Sequence, residues 1–185
     1  DRPVVGLRRI LHVMPDELSQ DEAFRANIRK LSGYDLTFDL CFLGRQLAVA
    51  TELAKACESV QFVLDHCGVP DIASGAMDPW REQIRGLAAL PNVACKISGV
   101  TAYTKPGEGT IDVVRPWVEH CLECFGWDRV IWGSDWPVCN INAGLASWVA
   151  ISREIVSNED VSNQIRLFCD NAINIYGLKE RGLVT

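Results

Sequence analysis

The residue with the clearest chemical potential is Asp135, which follows an apolar run. Residues 129–132 (RVIW) are typical of a buried parallel strand, and residues 133–137 (GSDWP) follow them directly. A charged side chain at the end of a buried strand is costly unless it is paired or used. In α/β proteins, the carboxyl ends of parallel strands are where chemistry takes place. We therefore interpret Asp135 as a catalytic candidate, and an Asp that only caps the following turn is the alternative.

Two histidines are predicted at strand ends. His66 lies where a strand meets a glycine turn, and alternation places it on the face of Leu64, opposite Asp65. An imidazole titrates near neutral pH, so His66 beside Asp135 predicts a second catalytic residue. His12 has the matching place on the first strand, where it either binds substrate or only hydrogen-bonds a loop carbonyl.

Lys96 is a third chemical signal, because it interrupts an apolar strand. A lysine there must reach an anion, a substrate oxygen or solvent. If it points inward with Ser98, it can bind a carboxylate or polarise a carbonyl; the alternative is a lysine that extends outward between helices. Arg45 and Trp136 are candidate walls of the same pocket.

The motif C-x-x-C at Cys121 and Cys124 invites a metal or redox interpretation. It lies well inside an amphipathic helix, and no second C-x-x-C exists in the sequence, so core packing is the favoured interpretation. His120, beside it, is predicted to lie on the surface. The chain has eight cysteines, mostly within apolar patterns, which favours free thiols in a reducing compartment and a cytoplasmic location.

Alternating apolar patterns predict five strands separated by helices, with no hairpin signal between them. The strands are Val4–His12, Leu36–Phe42, Val60–His66, Val93–Gly99 and Arg129–Asp135. Ser19 and Glu22 fit a capping box, and Asp78 with Pro79 fits an N-cap followed by the first helical position. Pro116 is expected either to start or to kink its helix, which ends at Gly126.

This pattern predicts an α/β fold with a parallel sheet, either doubly wound or part of a barrel. Neither glycine-rich phosphate motif occurs, whereas polar residues follow successive strands, as in a barrel. A (β/α)8 barrel takes about 250 residues, so five units in this chain cannot close one. We therefore expect a partial (β/α)8 TIM barrel of about five βα units, a single incomplete domain spanning residues 1–185. The polar residues are His12, Asp39, His66, Lys96 with Ser98, and Asp135.

Composition excludes several classes of function. The chain has 185 residues, is 48% hydrophobic and 23% charged, and carries a net charge of -6. An acidic chain without a basic cluster does not favour nucleic-acid binding. No apolar run approaches the roughly 20 residues that cross a bilayer. We expect a small-molecule substrate and no membrane association.

These motifs resemble the amidohydrolase-related TIM-barrel family, in particular its sugar-lactonase branch. The segments that carry the resemblance are residues 5–9 with His12, 38–40 with 45–47, 64–71, 95–99, 133–138 and 171–172. The combination of D-H-x-G-x-P-D with G-S-D-W-P is specific, and the similarity covers nearly the whole chain. It matches the family from the fourth barrel strand onward, so this is expected to be the C-terminal part of the barrel. The H-x-H element of the first strand is absent here.

The resemblance implies hydrolysis of a sugar-derived lactone or a similar small cyclic ester. Asp135 would be the general base on water, and His66, with His12 or Lys96, would polarise the carbonyl. A divalent metal, zinc first, is implied as a cofactor, with His66 and Asp135 as its candidate ligands in this chain. We expect the chain to be inactive without the N-terminal strands, or to complete its sheet as a homo-oligomer. The alternatives are a metal-dependent decarboxylase of a small unsaturated acid and a non-catalytic barrel fragment that needs a partner chain.

Overall fold

The computed structural model describes residues 4–184, which form one parallel sheet of five strands covered by helices. The strands pair in chain order, each with the next. They are β1 (Gly6–Ile10), β2 (Thr37–Cys41), β3 (Phe62–Leu64), β4 (Val93–Ile97) and β5 (Val130–Trp132). A doubly wound sheet reverses its strand order near the middle, whereas a barrel keeps it. The observed order therefore supports part of a (β/α)8 barrel.

Helices connect the strands and follow the last one. They are α1 (Glu17–Gln20), α2 (Glu22–Arg29), α3 (Leu47–Ala56), α4 (Trp80–Ala88), α5 (Ile111–Phe125), α6 (Leu145–Ile155), α7 (Val161–Ile165) and α8 (Asn171–Ile175). Short 3-10 turns follow the strands, and one turn of π-helix at Arg166–Asp170 separates α7 from α8. None of the helices in residues 4–184 combines the length and the apolarity that crossing a bilayer requires.

The two faces of the sheet differ in chemistry because side chains alternate along each strand. The outer face, which includes Phe38, Leu64 and Cys95, packs with the helices in one apolar core. The inner face carries charged side chains on three neighbouring strands: Asp39 of β2, Asp65 directly after β3, and Lys96 of β4. The alternation that builds the core therefore also collects charge on the opposite face.

The predicted strands were confirmed with shorter bounds, whereas the predicted capping box was not. All five predicted strands are present, but each is shorter than its apolar pattern, and β3 ends at Leu64, before Asp65 and His66. The predicted capping box is wrong: Ser19 lies inside α1 and donates to the Asp16 carbonyl, while Asp21 caps α2 by accepting from the Phe24 N–H.

The other helix signals had different outcomes at the starts of α4 and α5 and at the end of α5. Pro79, not Asp78, is at the N-cap of α4, and no side chain caps that helix. Pro116 lies within α5, five residues after its first residue Ile111, so it does not start the helix. Gly126 ends α5 with a φ of 67°, as predicted.

Candidate active site

The carboxyl ends of β3, β4 and β5 bring three polar side chains together. His66 Nδ1 lies 2.8 Å from Ser98 Oγ and 3.6 Å from Asp135 Oδ2. Both His66 and Asp135 are mostly buried but retain some exposure, so small molecules can reach them. We call these three residues the rim. Their arrangement is an acid–base pair with a hydroxyl group that holds the imidazole in place.

Unusual backbone positions create the rim. His66 and Asp135 have φ angles of 54° and 52°, in the left-handed region that side chains seldom adopt. Such positions cost about 1–3 kcal/mol and persist only where the surroundings impose them, often at functional sites. The turn at His66 also overrides strand alternation, which had placed it on the face of Leu64. It directs the imidazole to Ser98 instead.

Gly99 makes room for the pair between β4 and the next turn. Its φ is 70°, and a Cβ atom there would lie 2.5 Å from Asp135 Oδ2 and 3.3 Å from His66 Nδ1. Any larger residue would therefore displace the carboxylate or the imidazole. This position requires glycine both for its conformation and for the close approach.

A chain of ion pairs lies on the inner face of the sheet. Lys96 Nζ donates to Asp39 Oδ2 at 2.7 Å and to Asp65 Oδ1 at 2.8 Å, and Arg8 reaches Asp65 Oδ2 at 3.4 Å. The Tyr176 hydroxyl, just after α8, donates to Asp39 Oδ1 at 3.2 Å. We call these five residues the inner charge layer. Its two carboxylates and two cations neutralise one another.

The inner charge layer fixes the ionisation of Lys96. Burial disfavours the ammonium ion, but the nearby charges of Asp65 and Asp39 outweigh this and raise the pKa of Lys96. Lys96 therefore points inward, and the alternative of an outward lysine is wrong. Two of its three N–H groups are used by carboxylates, which leaves one for a ligand.

Asp135 differs from the acids of the inner layer because no arginine or lysine pairs with it directly among the described residues. Burial raises the pKa of the Asp135 carboxyl above its ordinary value; the His66 imidazole opposes this shift, and the charge of Asp65 adds to it. A carboxylate with a raised pKa is a stronger base than one in open solvent.

The other predicted pocket residues lie around this edge with different contacts. His12 is in the 3-10 turn after β1, with Nδ1 3.4 Å from the sulfur of Cys41. Arg45 is exposed and reaches Asp16 Oδ2 at 3.3 Å. Trp136 is 65% exposed, directly after Asp135. In the described residues, no hydrogen bond or ion pair joins these three to His66 or Asp135.

A cavity of about 580 Å³ lies beside Arg45, lined by Tyr103, Trp80 and the turns after β2 and β3. A larger cavity of about 680 Å³ lies near Thr37 and Gln61, at the opposite ends of the strands. The smaller one is lined by residues that follow β2, β3 and β4 in the chain, but not by His66, Ser98 or Asp135 themselves. Its volume falls in the range that holds a small metabolite.

The third histidine is not on the surface. His120 is buried on α5, with Nε2 3.0 Å from the Arg81 carbonyl and its ring 5.3 Å from that of Trp80. The helix is covered on both sides here, so the polar face inferred for it was wrong. All eight cysteines are free, and most are buried, as predicted.

Sequence comparison identifies the family. A family model described as amidohydrolase matches residues 1–178. The chain belongs to the amidohydrolase family. This confirms the resemblance inferred from the motifs, including its sugar-lactonase branch, since curated relatives of this amidohydrolase are lactonases.

Two relatives and one structure define the neighbourhood. An L-fucono-1,5-lactonase of Burkholderia ambifaria is 34% identical over 137 residues, which cover 74% of this chain and 47% of the relative. An L-fucono-1,5-lactonase of Burkholderia multivorans is 30% identical over 189 residues, which cover 94% of this chain and 64% of the relative. A B. multivorans amidohydrolase solved with bound zinc superposes with a TM-score of 0.89 at 26% identity. The match covers 93% of this chain and 64% of that structure's chain. The chain thus spans about half to two thirds of the length of these relatives.

The described residues of this amidohydrolase do not by themselves fit a catalytic zinc ion. His66 Nδ1 and Asp135 Oδ2 are near each other, but a catalytic zinc takes about three protein ligands. Within residues 4–184, the only group of three His, Cys, Asp or Glu donors that lie together is a set of thiols on the other face of the sheet. His66 and Asp135 therefore provide two donors and no complete site.

The sequence reasoning missed much of the inner charge layer. Strand alternation predicted Asp65 on the face opposite His66, and it predicted neither Arg8 nor Tyr176 as a site residue. The sequence did contain a signal for Asp65. A carboxylate at the end of an apolar strand is costly to bury unless it is paired or used, as for Asp135. No local pattern indicated Tyr176, because its partner Asp39 lies 137 residues earlier.

Proposed function

We propose that this amidohydrolase opens a small lactone, sugar-derived, by adding water to its carbonyl carbon. The observation that carries the proposal is the pair of Asp135 and His66 at the carboxyl edge of the sheet, 3.6 Å apart. Its similarity to lactonases supports the substrate class. Lactone hydrolysis needs a base for water and a donor for the carbonyl oxygen, which a carboxylate and an imidazole supply.

In the proposed reaction, Asp135 accepts a proton from water as the water oxygen attacks the lactone carbonyl. The tetrahedral intermediate then collapses, and the ring C–O bond breaks. The proton held by Asp135 passes to the departing ring oxygen, which becomes the free hydroxyl of the product acid. Asp135 thus takes up one proton and later releases it, so protons and charge balance over the whole reaction.

His66 would stabilise the developing oxyanion. When Ser98 Oγ donates to Nδ1, the imidazole carries its proton on Nε2 and can donate it to the carbonyl oxygen. A well-placed donor of this kind contributes about 3 kcal/mol to the transition state. The free N–H of Lys96 and the ring of His12 are the further substrate contacts that we propose.

Arg45 and Trp136 would bind the part of the substrate that does not react. Arg45 lines the 580 Å³ cavity, and Trp136 presents an exposed aromatic face beside the base. An aromatic surface and a cation suit a hydroxylated ring. His66 and Asp135 are also our candidate ligands for a divalent metal, zinc first.

Acid release from a panel of lactones tests the proposal. The protein at the full length that its gene encodes should accelerate opening of five- and six-membered sugar lactones above the spontaneous rate, followed in a pH-stat.

A parallel measurement of CO₂ from small unsaturated acids separates the alternative reaction. Turnover of those acids without any lactone opening would overturn the proposal, and so would the absence of any acceleration by the full-length protein.

A further inference from the structure

Three thiols meet on the face of the sheet opposite the inner charge layer. Cys67 lies in the turn after β3, Cys95 on β4 and Cys121 on α5. Their sulfur atoms all lie within 4.8 Å of one another, and all three residues are fully buried. We call them the thiol cluster. They come from three separate elements, so the fold and not local sequence brings them together.

The thiol cluster offers three soft donors and no more. Among the described residues, no His, Asp, Glu or further Cys joins the group. Cys124, the other half of the C-x-x-C motif, lies apart, with its sulfur 3.5 Å from His120 Nε2. The motif is therefore split between two environments, and the donor set is tridentate.

We propose that the thiol cluster is a binding site for a three-coordinate thiophilic ion, with trivalent arsenic as the ligand that fits it best. Three thiolates around a divalent metal would leave one negative charge, which is costly in a buried apolar site. A divalent zinc ion would also lack its fourth ligand. Trivalent arsenic bound by three thiolates is neutral and needs no fourth donor.

Binding of arsenite balances without any oxidant or reductant. Arsenous acid exchanges its three hydroxyl groups for three sulfur atoms: three As–O bonds break and three As–S bonds form. Each thiol proton leaves with one hydroxyl group as water. The oxidation state of arsenic and of sulfur is unchanged.

The geometry requires only a small adjustment. Sulfur atoms bound to one three-coordinate ion at about 2.3 Å lie about 3.5–4 Å apart, so sulfur atoms within 4.8 Å of one another must close by no more than about 1.5 Å. The peptide at Cys67 is tied by Trp80, whose indole Nε1 donates to its carbonyl at 2.8 Å. Cys95 is held in the sheet, so we expect α5, carrying Cys121, to make the adjustment.

Native mass spectrometry of the chain with arsenite is the first test. We expect one adduct whose mass equals one arsenic atom minus three hydrogens, which counts the thiols used. X-ray absorption at the arsenic edge of the same sample should show three sulfur neighbours. Both measurements use the unaltered protein, so they do not depend on whether a core variant folds. A two-sulfur adduct, or no adduct, would overturn the proposal.

Variants then assign the donors. Cys67→Ala and Cys121→Ala should each lower the arsenite affinity about 10-fold or more, and circular dichroism checks that they fold. Cys124→Ala and Cys169→Ala are matched controls and should bind as the unaltered protein does. If Cys124→Ala lost binding instead, the site would be the C-x-x-C pair and the proposal would be wrong.

Discussion

The rim and the inner charge layer both contain aspartate side chains, but the surroundings of these aspartates differ. In the inner charge layer, Asp65 is fully buried and both of its oxygens meet cations, at 2.8 and 3.4 Å. In the rim, Asp135 keeps partial exposure and meets only an imidazole, at 3.6 Å. Burial raises the pKa of Asp135 above its ordinary value, which favours proton uptake by this carboxylate. The comparison separates an ion-paired acid after β3 from the proposed general base after β5, with β4 between the two strands.

The largest effect should come from removing the carboxylate that we propose as the general base. Asp135→Asn should lower lactone turnover about 10²–10⁴-fold, because the amide cannot take a proton from water. Thermal unfolding should change little, since no strong ion pair is lost. Asp128→Asn, at an exposed aspartate, is the matched control and should keep full activity. Unchanged turnover in Asp135→Asn would remove it as the base.

Breaking the inner charge layer should instead destabilise the fold. Lys96→Met leaves two buried carboxylates without their shared cation, which should lower the free energy of unfolding by about 3–5 kcal/mol. Denaturant titration measures the loss. The control Lys55→Met, at an exposed helix position, should stay within about 0.5 kcal/mol. Equal stability of both variants would show that the layer is not structural.

Gly99→Ala tests the close packing of the rim. The new methyl group would push against Asp135 Oδ2 and His66 Nδ1, so we expect turnover to fall about 10²-fold, as for a misplaced catalytic group. Gly86→Ala, within α4 with open space around its Cβ, should leave turnover unchanged and stabilise the helix by about 0.5–1 kcal/mol. If both variants kept full turnover, close packing at Gly99 would have no role.

The smallest effect concerns Tyr176. Tyr176→Phe removes one hydrogen bond to Asp39 and should cost about 1–2 kcal/mol. Burial raises the pKa of Tyr176 to about 12, against about 10 for a free phenol. The folded state therefore holds this proton longer than the unfolded state, and its contribution to stability is complete below pH 10 and lost as the pH rises towards 12.

Unfolding curves between these two pH values check this. The unaltered protein should lose stability more steeply than Tyr176→Phe. Parallel pH dependences of the two proteins would contradict the burial of this phenol.

The sequence predicted the fold well because its signals are local. Apolar runs at residues 62–64 and 130–132 indicate buried strands whatever surrounds them, and all five strands formed in a single parallel sheet. Asp135 was predicted as a catalytic candidate by the same kind of signal, a charge at the end of such a run. Helix starts were less predictable: Ser19 satisfied the capping pattern, yet neighbouring Asp21 took that role.

What could not be predicted depends on contacts between distant segments. Asp65 and Lys96 lie 31 residues apart, and the sequence around each of them indicates no partner for its charge. Only the register of β3 against β4, with Leu64 opposite Cys95, shows that they meet. The direction of His66 depends on a left-handed backbone conformation, which non-glycine residues adopt at only a few per cent of positions even though histidine is among the more frequent ones.

The backbone from His66 to Val69 joins two parts of the molecule that otherwise face away from each other. These four residues in a row have positive φ angles, so the chain reverses sharply here. One peptide unit separates an imidazole on one side of the sheet from a sulfur atom on the other. Because Trp80 holds the Cys67 carbonyl in place, we expect an arsenical bound at the thiol cluster to leave the direction of the His66 imidazole, and with it the rate of the proposed lactone opening, unchanged.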